Sequence, residues 1–242
     1  MILDKFKLDG KVAIVTGGGR GLGKAMAIGL AQAGADIVLV GSSSAERAVE
    51  DVRATGRRVI AVKADLLEAA SIPRIVETTV KEFGRVDILV NNAGITWGAD
   101  ALNYPVDKWQ KVLDVNLTGV FLCSMYAARV MKEKGGGKII NISSTTGYGG
   151  TAPEAQDTVA YNASKGAVMV LTKDLAVKWA RYNIYVNCIA PGPFVTHMTE
   201  KHFANVGEDV VKSANPLGRF GSEWDLKGAV VFLASAASDF IT

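Results

Sequence analysis

Short apolar runs alternate along the chain with longer stretches in which polar and apolar residues mix at helical spacing. Six runs rich in Val and Ile predict strands at Val12–Thr16, Asp36–Val40, Arg58–Lys63, Asp87–Asn91, Lys138–Ser143 and Ile184–Ala190. They show little polar alternation, which is the pattern of strands covered on both faces. The amphipathic stretches between them predict helices at Leu22–Ala33, Ala45–Thr55, Ser71–Phe83, Leu117–Lys134 and Ala160–Arg181. Repetition of strand, helix, strand implies an α/β fold: one doubly wound parallel sheet of Rossmann type, with helices on both faces. No Ser/Pro tract divides the chain, so all of 1–242 reads as a single domain. In such a sheet, ligands sit outside the carboxyl ends of the strands, where the winding reverses.

Composition changes this picture only by exclusion. The 242 residues are 49% hydrophobic with a formal charge of +3, enough for one large core and without a Lys/Arg block of the kind that marks a nucleic-acid surface. Arg57-Arg58 reads as a solvated strand entrance. Cys123 and Cys188 lie in apolar runs and read as buried thiols suited to a reducing cytoplasm. His197 and His202, five apart, miss the helical spacing of a metal pair and read as surface residues, so no metal is expected. The N-terminus carries no long apolar segment and no run of eighteen apolar residues occurs, so neither a signal peptide nor a membrane span is expected.

The candidate chemistry follows the predicted strands. After the first comes "TGGGRGLG", Thr16 to Gly23, with the spacing G-x-x-x-G-x-G. A tight glycine turn at a helix N-terminus exposes N–H groups and about half a positive charge to a phosphate. Tyr161 and Lys165, in "YNASK", are four apart and share one helical face. A phenol has a pKa of about 10; an ammonium about 4 Å away contributes about 4 kcal/mol at a dielectric near 20, more than a two-unit drop requires. On that basis Tyr161 exchanges a proton with a substrate oxygen. A second Y-x-x-x-K, Tyr104 to Lys108, competes, but Pro105 directly follows the tyrosine and pushes it out of helical geometry.

"TGGGRGLG", "NNAG" at Asn91–Gly94 and "YNASK", in that order, resemble the short-chain dehydrogenase/reductase family from about Lys7 to the last residues. The resemblance implies a cofactor cleft formed by Gly17, Gly19, Arg20, Gly21, Leu22 and Gly23. Asn91 to Gly94 would shape its adenosine side, with Asn92, Ala93 and Gly94 in contact, and Asp65 with Leu66 would meet adenine. Pro191, Gly192 and Thr196 of "PGPFVTHMT" would lie beside the nicotinamide. Ser144 of "KIINISSTTG" would hold the substrate oxygen, with Ser143 as the alternative. Lys165 would bind the nicotinamide ribose, and the backbone carbonyl of Asn116, in "LDVNLTG", would hold a water leading to Lys165.

The second strand ends in "GSSSAER", without the acidic residue that usually holds the ribose hydroxyls of NAD. Arg20, Ser42 and Ser43 favour NADP instead, NAD remaining the alternative. A charge-assisted contact is worth about 1.5–3 kcal/mol, enough to set a preference.

The implied activity interconverts a ketone and a secondary alcohol. "NNAGITWGADALNYPVDKW" resembles reductases of 3-oxoacyl thioesters on an acyl carrier; "GLAQAGADIV" and "FLASAASDF" resemble gluconate and deoxygluconate dehydrogenases. A polyol substrate, a non-catalytic nucleotide-binding role and a sugar-nucleotide epimerase stand as alternatives. The retained Ser144, Tyr161 and Lys165 argue against the second, and the lack of a larger C-terminal substrate domain against the third. The segment from Ser144 to Tyr161 is longer than in many relatives and implies an enlarged loop over substrate. About 194–219 the pattern weakens, as expected of a substrate lid or a plain surface excursion. Relatives commonly form homotetramers through the two long helices, and continue past "SAASDFIT" into a further strand, so a seventh strand and part of a subunit interface are in doubt.

Overall fold

A computed structural model describes residues 1–153 and 156–242; Glu154 and Ala155, within the expected loop over substrate, lie outside the described residues. The strands are β1 (Val12–Thr16), β2 (Asp36–Gly41), β3 (Val59–Lys63), β4 (Ile88–Asn91), β5 (Gly137–Ile142) and β6 (Ile184–Ile189). Each begins and ends within one residue of its predicted run. The helices are α1 (Gly21–Gln32), α2 (Glu46–Arg53), α3 (Ile72–Phe83), α4 (Val106–Leu113), α5 (Gly119–Glu133), α6 (Val159–Trp179), α7 (Glu200–Val206), α8 (Glu208–Ser213) and α9 (Glu223–Ala234).

The sheet order is β3-β2-β1-β4-β5-β6, every pair parallel. Alternate residues of each strand feed opposite layers. Ala13, Val15, Ile37 and Leu39 pack with α1, α2 and α9 on one face. Val12, Ile14, Val38 and Leu89 pack with α3, α5 and α6 on the other. The central strands β1 and β4 are buried along their whole length, whereas β3 is half open, because an edge strand has a neighbour on one side only.

Two predicted elements differ from expectation. The Leu117–Lys134 helix is preceded by a π-helical turn, Asp114–Thr118, so the chain runs from α4 into α5 through a widened turn. The weak-pattern segment about 194–219 holds α7 and α8, both too short to show a clear period. Among the described residues the sheet ends at β6, along which the last residues lie: the Asn187 side chain donates to the Ile241 carbonyl (2.9 Å) and Val186 N–H to the Thr242 hydroxyl (3.0 Å). No described helix is long and apolar enough to cross a membrane.

Candidate active site

The winding reverses between β1 and β4, and the loops leaving these two strands are tied together. The Thr16 hydroxyl accepts from Asn92 N–H (3.0 Å) and Ala93 N–H (3.1 Å). The Asn92 side chain donates back to the carbonyls of Thr16 (3.1 Å) and Gly17 (3.3 Å). Gly23 comes so close that a Cβ on it would stand 2.2 Å from the Gly17 carbonyl oxygen. Any side chain there would force the glycine turn off the first turn of α1. Gly23 is therefore a packing residue behind the cleft, while Gly17, Gly19, Arg20, Gly21 and Leu22 form its wall.

This turn opens one end of a cleft of about 1610 Å³ that runs across the carboxyl edge of the sheet. Ser42 and Ser43 line it just past β2, and Arg20 is exposed at its lip as the N-cap of α1. Asp65 and Leu66 line it past β3; the Asp65 carboxylate also accepts from Leu67 N–H (3.0 Å), fixing that turn. Asn92, Ala93 and Gly94 form its floor. Asn91 does not take part: its side chain turns to the other side of β4 and donates to the Ser124 hydroxyl (2.8 Å). As the last residue of a strand it obeys the strand's alternation rather than the loop's.

At the other end stand Ser144, Tyr161 and Lys165. Tyr161 lies in the first turn of α6 with Lys165 one turn on; the ammonium is 5.5 Å from the centre of the phenol ring. The Lys165 ammonium donates to the Ile142 carbonyl (2.7 Å), not to the phenol. The expected acidification of Tyr161 by this lysine is thus corrected. Burial raises the phenol above its ordinary value, with the Ser144 hydroxyl pulling the other way. Burial also pushes Lys165 down to about 8. Both groups share the same poorly solvated wall, which disfavours charge on either. At neutral pH the geometry holds a protonated phenol beside a protonated lysine: a proton donor facing the cleft.

The two serines after β5 separate cleanly. Ser143 is buried and donates to the Lys165 carbonyl (2.7 Å), so it is spent on α6. Ser144 stays half open, accepts from the Thr146 hydroxyl (3.0 Å) and faces Tyr161. Asn116 lies wholly buried behind the cleft wall, inside the π-helical turn. Its amide grips Ile95 from both sides, accepting from the N–H and donating to the carbonyl (2.9 Å each), and also donates to the Ser164 hydroxyl (3.0 Å). It therefore joins the β4 loop to α6 through its side chain.

Past β6, Pro191, Gly192 and Thr196 line the cleft, Thr196 in a knot with Thr199 (Oγ1 to Oγ1, 3.1 Å). The segment beyond is pinned at its base by the bridge between Phe194 and Gly221 and by Gly221 N–H donating to the Pro193 carbonyl (2.9 Å). His197 and His202, expected as surface residues, both line the cleft from this segment: His197, ahead of α7, is exposed as expected, and His202, on α7, is half-buried. Cys188, expected as buried, is half-buried near Lys165. Among the described residues no cluster of His, Cys, Asp and Glu could hold a metal.

Lys111 and Asp157 also reach the cleft and had not been singled out. Lys111 lies in α4 and Asp157 just before α6, and neither belongs to a local motif that would have marked it.

Comparison with known proteins agrees with this arrangement. Residues 11–207 match the family described as short chain dehydrogenase. The chain is 44% identical, over 100% of its length and 94% of the other's, to a 2-dehydro-3-deoxy-D-gluconate 5-dehydrogenase of Escherichia coli (strain K12). It is 38% identical, over 97% of its length and 94% of the other's, to a 3-oxoacyl-[acyl-carrier-protein] reductase of Synechocystis. Among solved structures it resembles a gluconate 5-dehydrogenase from Burkholderia cenocepacia J2315 in complex with NADP and tartrate, with a TM-score of 0.92, 39% identity and coverage of 100% and 94% of the two chains. The glycine turn at the winding reversal, the Ser144–Tyr161–Lys165 group across the cleft and the family match over most of the sequence lead to one conclusion: this chain is a member of the short-chain dehydrogenase family.

Proposed function

We propose that the chain is an NADP(H)-dependent oxidoreductase that interconverts a ketone and a secondary alcohol, the dinucleotide supplying or accepting the hydride when bound. The observation that carries this reading is the Ser144–Tyr161–Lys165 group opposite the glycine turn, within one cleft. The residues fit the dinucleotide. The close approach of Gly23 to Gly17 leaves the turn as bare backbone at a helix N-terminus, where a pyrophosphate is favoured. Arg20, Ser42 and Ser43 line this end of the cleft with donors, and no acidic residue directly follows β2, which suits a 2′-phosphate.

In this role Ser144 donates to the substrate oxygen and Tyr161 gives it a proton in reduction, or removes one in oxidation. Lys165 holds the ribose hydroxyls beside them. Gly17, Gly19, Gly21 and Leu22 with Asn92, Ala93 and Gly94 would hold the dinucleotide's middle. Asp65 and Leu66 would take the adenine, and Pro191, Gly192 and Thr196 the nicotinamide. Residues 194–219 would cover the substrate.

A sugar acid is the favoured substrate class. The names of the Escherichia coli and Burkholderia proteins support it, and so do the polar lid side chains of Thr199, His202, Asn205 and Asn215 along the cleft. An acyl carrier would favour free cations on the segment over the substrate end. Lys212 is instead tied to Glu208 (2.9 Å) and Arg219 to Asp225 (2.8 Å). Exposed Val170 and Val177 on α6 support self-association, a cytoplasmic homotetramer being the form proposed. The test is a panel of ketones, 5-keto-D-gluconate and a 3-oxoacyl thioester among them, with NADPH and NADH. The expected outcome is faster NADPH oxidation with the sugar acid; no oxidation of either coenzyme across the panel would overturn the reading.

A further inference from the structure

Beneath the catalytic face the sheet carries a row of polar residues that neither the cleft nor the core accounts for. Asn91 of β4, Asn141 of β5 and Cys188 of β6 pair in register, side by side across three strands. Asn91 directly follows Val90 in β4, and Asn141 lies between Ile140 and Ile142 in β5. Asn91 donates to the Asn141 side-chain oxygen (2.9 Å) and to the Ser124 hydroxyl of α5 (2.8 Å). Asn141 in turn donates to the Thr172 hydroxyl of α6 (2.9 Å), which itself donates to the Val168 carbonyl (2.7 Å). Asn91 and Asn141 are 1% and 0% exposed, and the side-chain oxygen of Asn91 has no partner among the described residues. An unmet buried acceptor is destabilising, so an apolar row would hold the sheet better. The row is explained by what it aligns.

Thr172 lies seven residues after Lys165, two turns along the same face of α6. Two residues before Ser143 on the same side of its strand lies Asn141. The β5 chain therefore grips α6 twice: Asn141 at Thr172, and Ser143 at the Lys165 carbonyl (2.7 Å). Ser144, which faces Tyr161, follows directly. Resting on the proposed role of Tyr161, we infer that Asn141 and Thr172 are positioning residues whose hydrogen bond sets the register of α6 on β5, and so the meeting of Tyr161 with Ser144. The other titratable groups around Tyr161 and Lys165 are Cys188 on β6, Asp157 before α6, and His197 and His202 across the cleft.

The test uses Thr172→Val, which keeps the shape and removes the hydroxyl, with Thr172→Ser to restore it. The Tyr161 phenol is titrated by its phenolate absorbance, Tyr161→Phe serving as the blank, and folding is followed by thermal melting. Thr172→Val is expected to weaken Tyr161 as an acid by about tenfold, one pKa unit, because Ser144 no longer meets the phenol; Thr172→Ser returns the titration to its original place. Ser143→Ala, at the second grip, shifts it the same way. An unchanged Tyr161 titration in folded Thr172→Val and Ser143→Ala overturns the inference. So does failure of both to fold while Thr172→Ser folds, since the row is then purely structural. Turnover of 5-keto-D-gluconate by Tyr161→Phe separates the two readings: full turnover there defeats the proposed function, whatever the titrations give.

Discussion

The chain contains the spacing Y-x-x-x-K twice, and the two copies end in opposite circumstances. Tyr104 stands outside α4, extended at φ −65° and ψ 125°, with Pro105 as the N-cap between it and the helix. Its hydroxyl donates to the Trp97 carbonyl (3.0 Å). Lys108 is paired with Asp107 (2.8 Å) and lies over the Trp97 ring, 5.0 Å from its centre. Tyr161 and Lys165 share a helix face, and Lys165 is 5% exposed with a backbone carbonyl as its hydrogen-bond acceptor. Burial raises both phenols, so the phenol is not what separates the copies. The lysine is. One ammonium is neutralised at the surface; the other is held in a dry wall at the edge of a cleft, ready for a ligand.

The sharpest way to break this contrast is to remove each hydroxyl. Tyr161→Phe is expected to lower turnover by between about a hundredfold and ten-thousandfold, the range of a lost general acid. Tyr104→Phe should leave it within about twofold, since that hydroxyl touches no reacting group. Equal losses, measured by initial rates, would erase the distinction.

Replacing the lysines tests it next. Lys165→Met is expected to lower turnover by about a hundredfold or more while making the protein more stable at neutral pH. A lysine whose folded pKa is depressed to about 8 is charged in both states below that value, and the cost of burying the charge is then fully present. As pH rises from about 8 towards the ordinary lysine value, only the unfolded chain keeps the proton, and stability increases. Removing the charge should therefore raise stability at pH 7 by on the order of 1–3 kcal/mol, and flatten the alkaline rise expected of the parent, both read by denaturant titration. Lys108→Met should change neither quantity.

The raised phenol predicts a directional pH effect. Alcohol oxidation needs Tyr161 ionised, so its rate should climb by about tenfold per pH unit through neutral and into the alkaline range. Ketone reduction needs the protonated form and should stay flat until the phenol titrates. A flat oxidation profile would count against Tyr161 as the base. The smallest expected effect lies at the far end of the cleft, where Arg20→Ala should shift the preference for NADPH over NADH, read as the ratio of their affinities, by about tenfold towards NADH.

The sheet was legible because its central strands are buried on both sides: Val12–Thr16 and Ile88–Asn91 are buried at every residue, which leaves compact runs rich in Val and Ile. The glycine turn and the Tyr161–Lys165 spacing were legible because each is local. Other features depended on partners distant in sequence. The π-helical turn at Asn116 depends on Ile95 and Ser164, and the half-burial of His202 on how α7 sits along the cleft. The charge state around Tyr161 failed for the same reason, because spacing placed Lys165 on the right face and said nothing of the Ile142 carbonyl that accepts its hydrogen bond.

Arg20 holds the N-cap of α1, where the helix already carries excess positive charge. A guanidinium there opposes the helix field instead of answering it. Under the proposed assignment, the anion that satisfies both is the dinucleotide, so its arrival relieves a built-in repulsion as well as adding contacts. Coenzyme supply would then tune how firmly this protein stays folded, and NADPH should raise its melting temperature more in the parent than in Arg20→Ala.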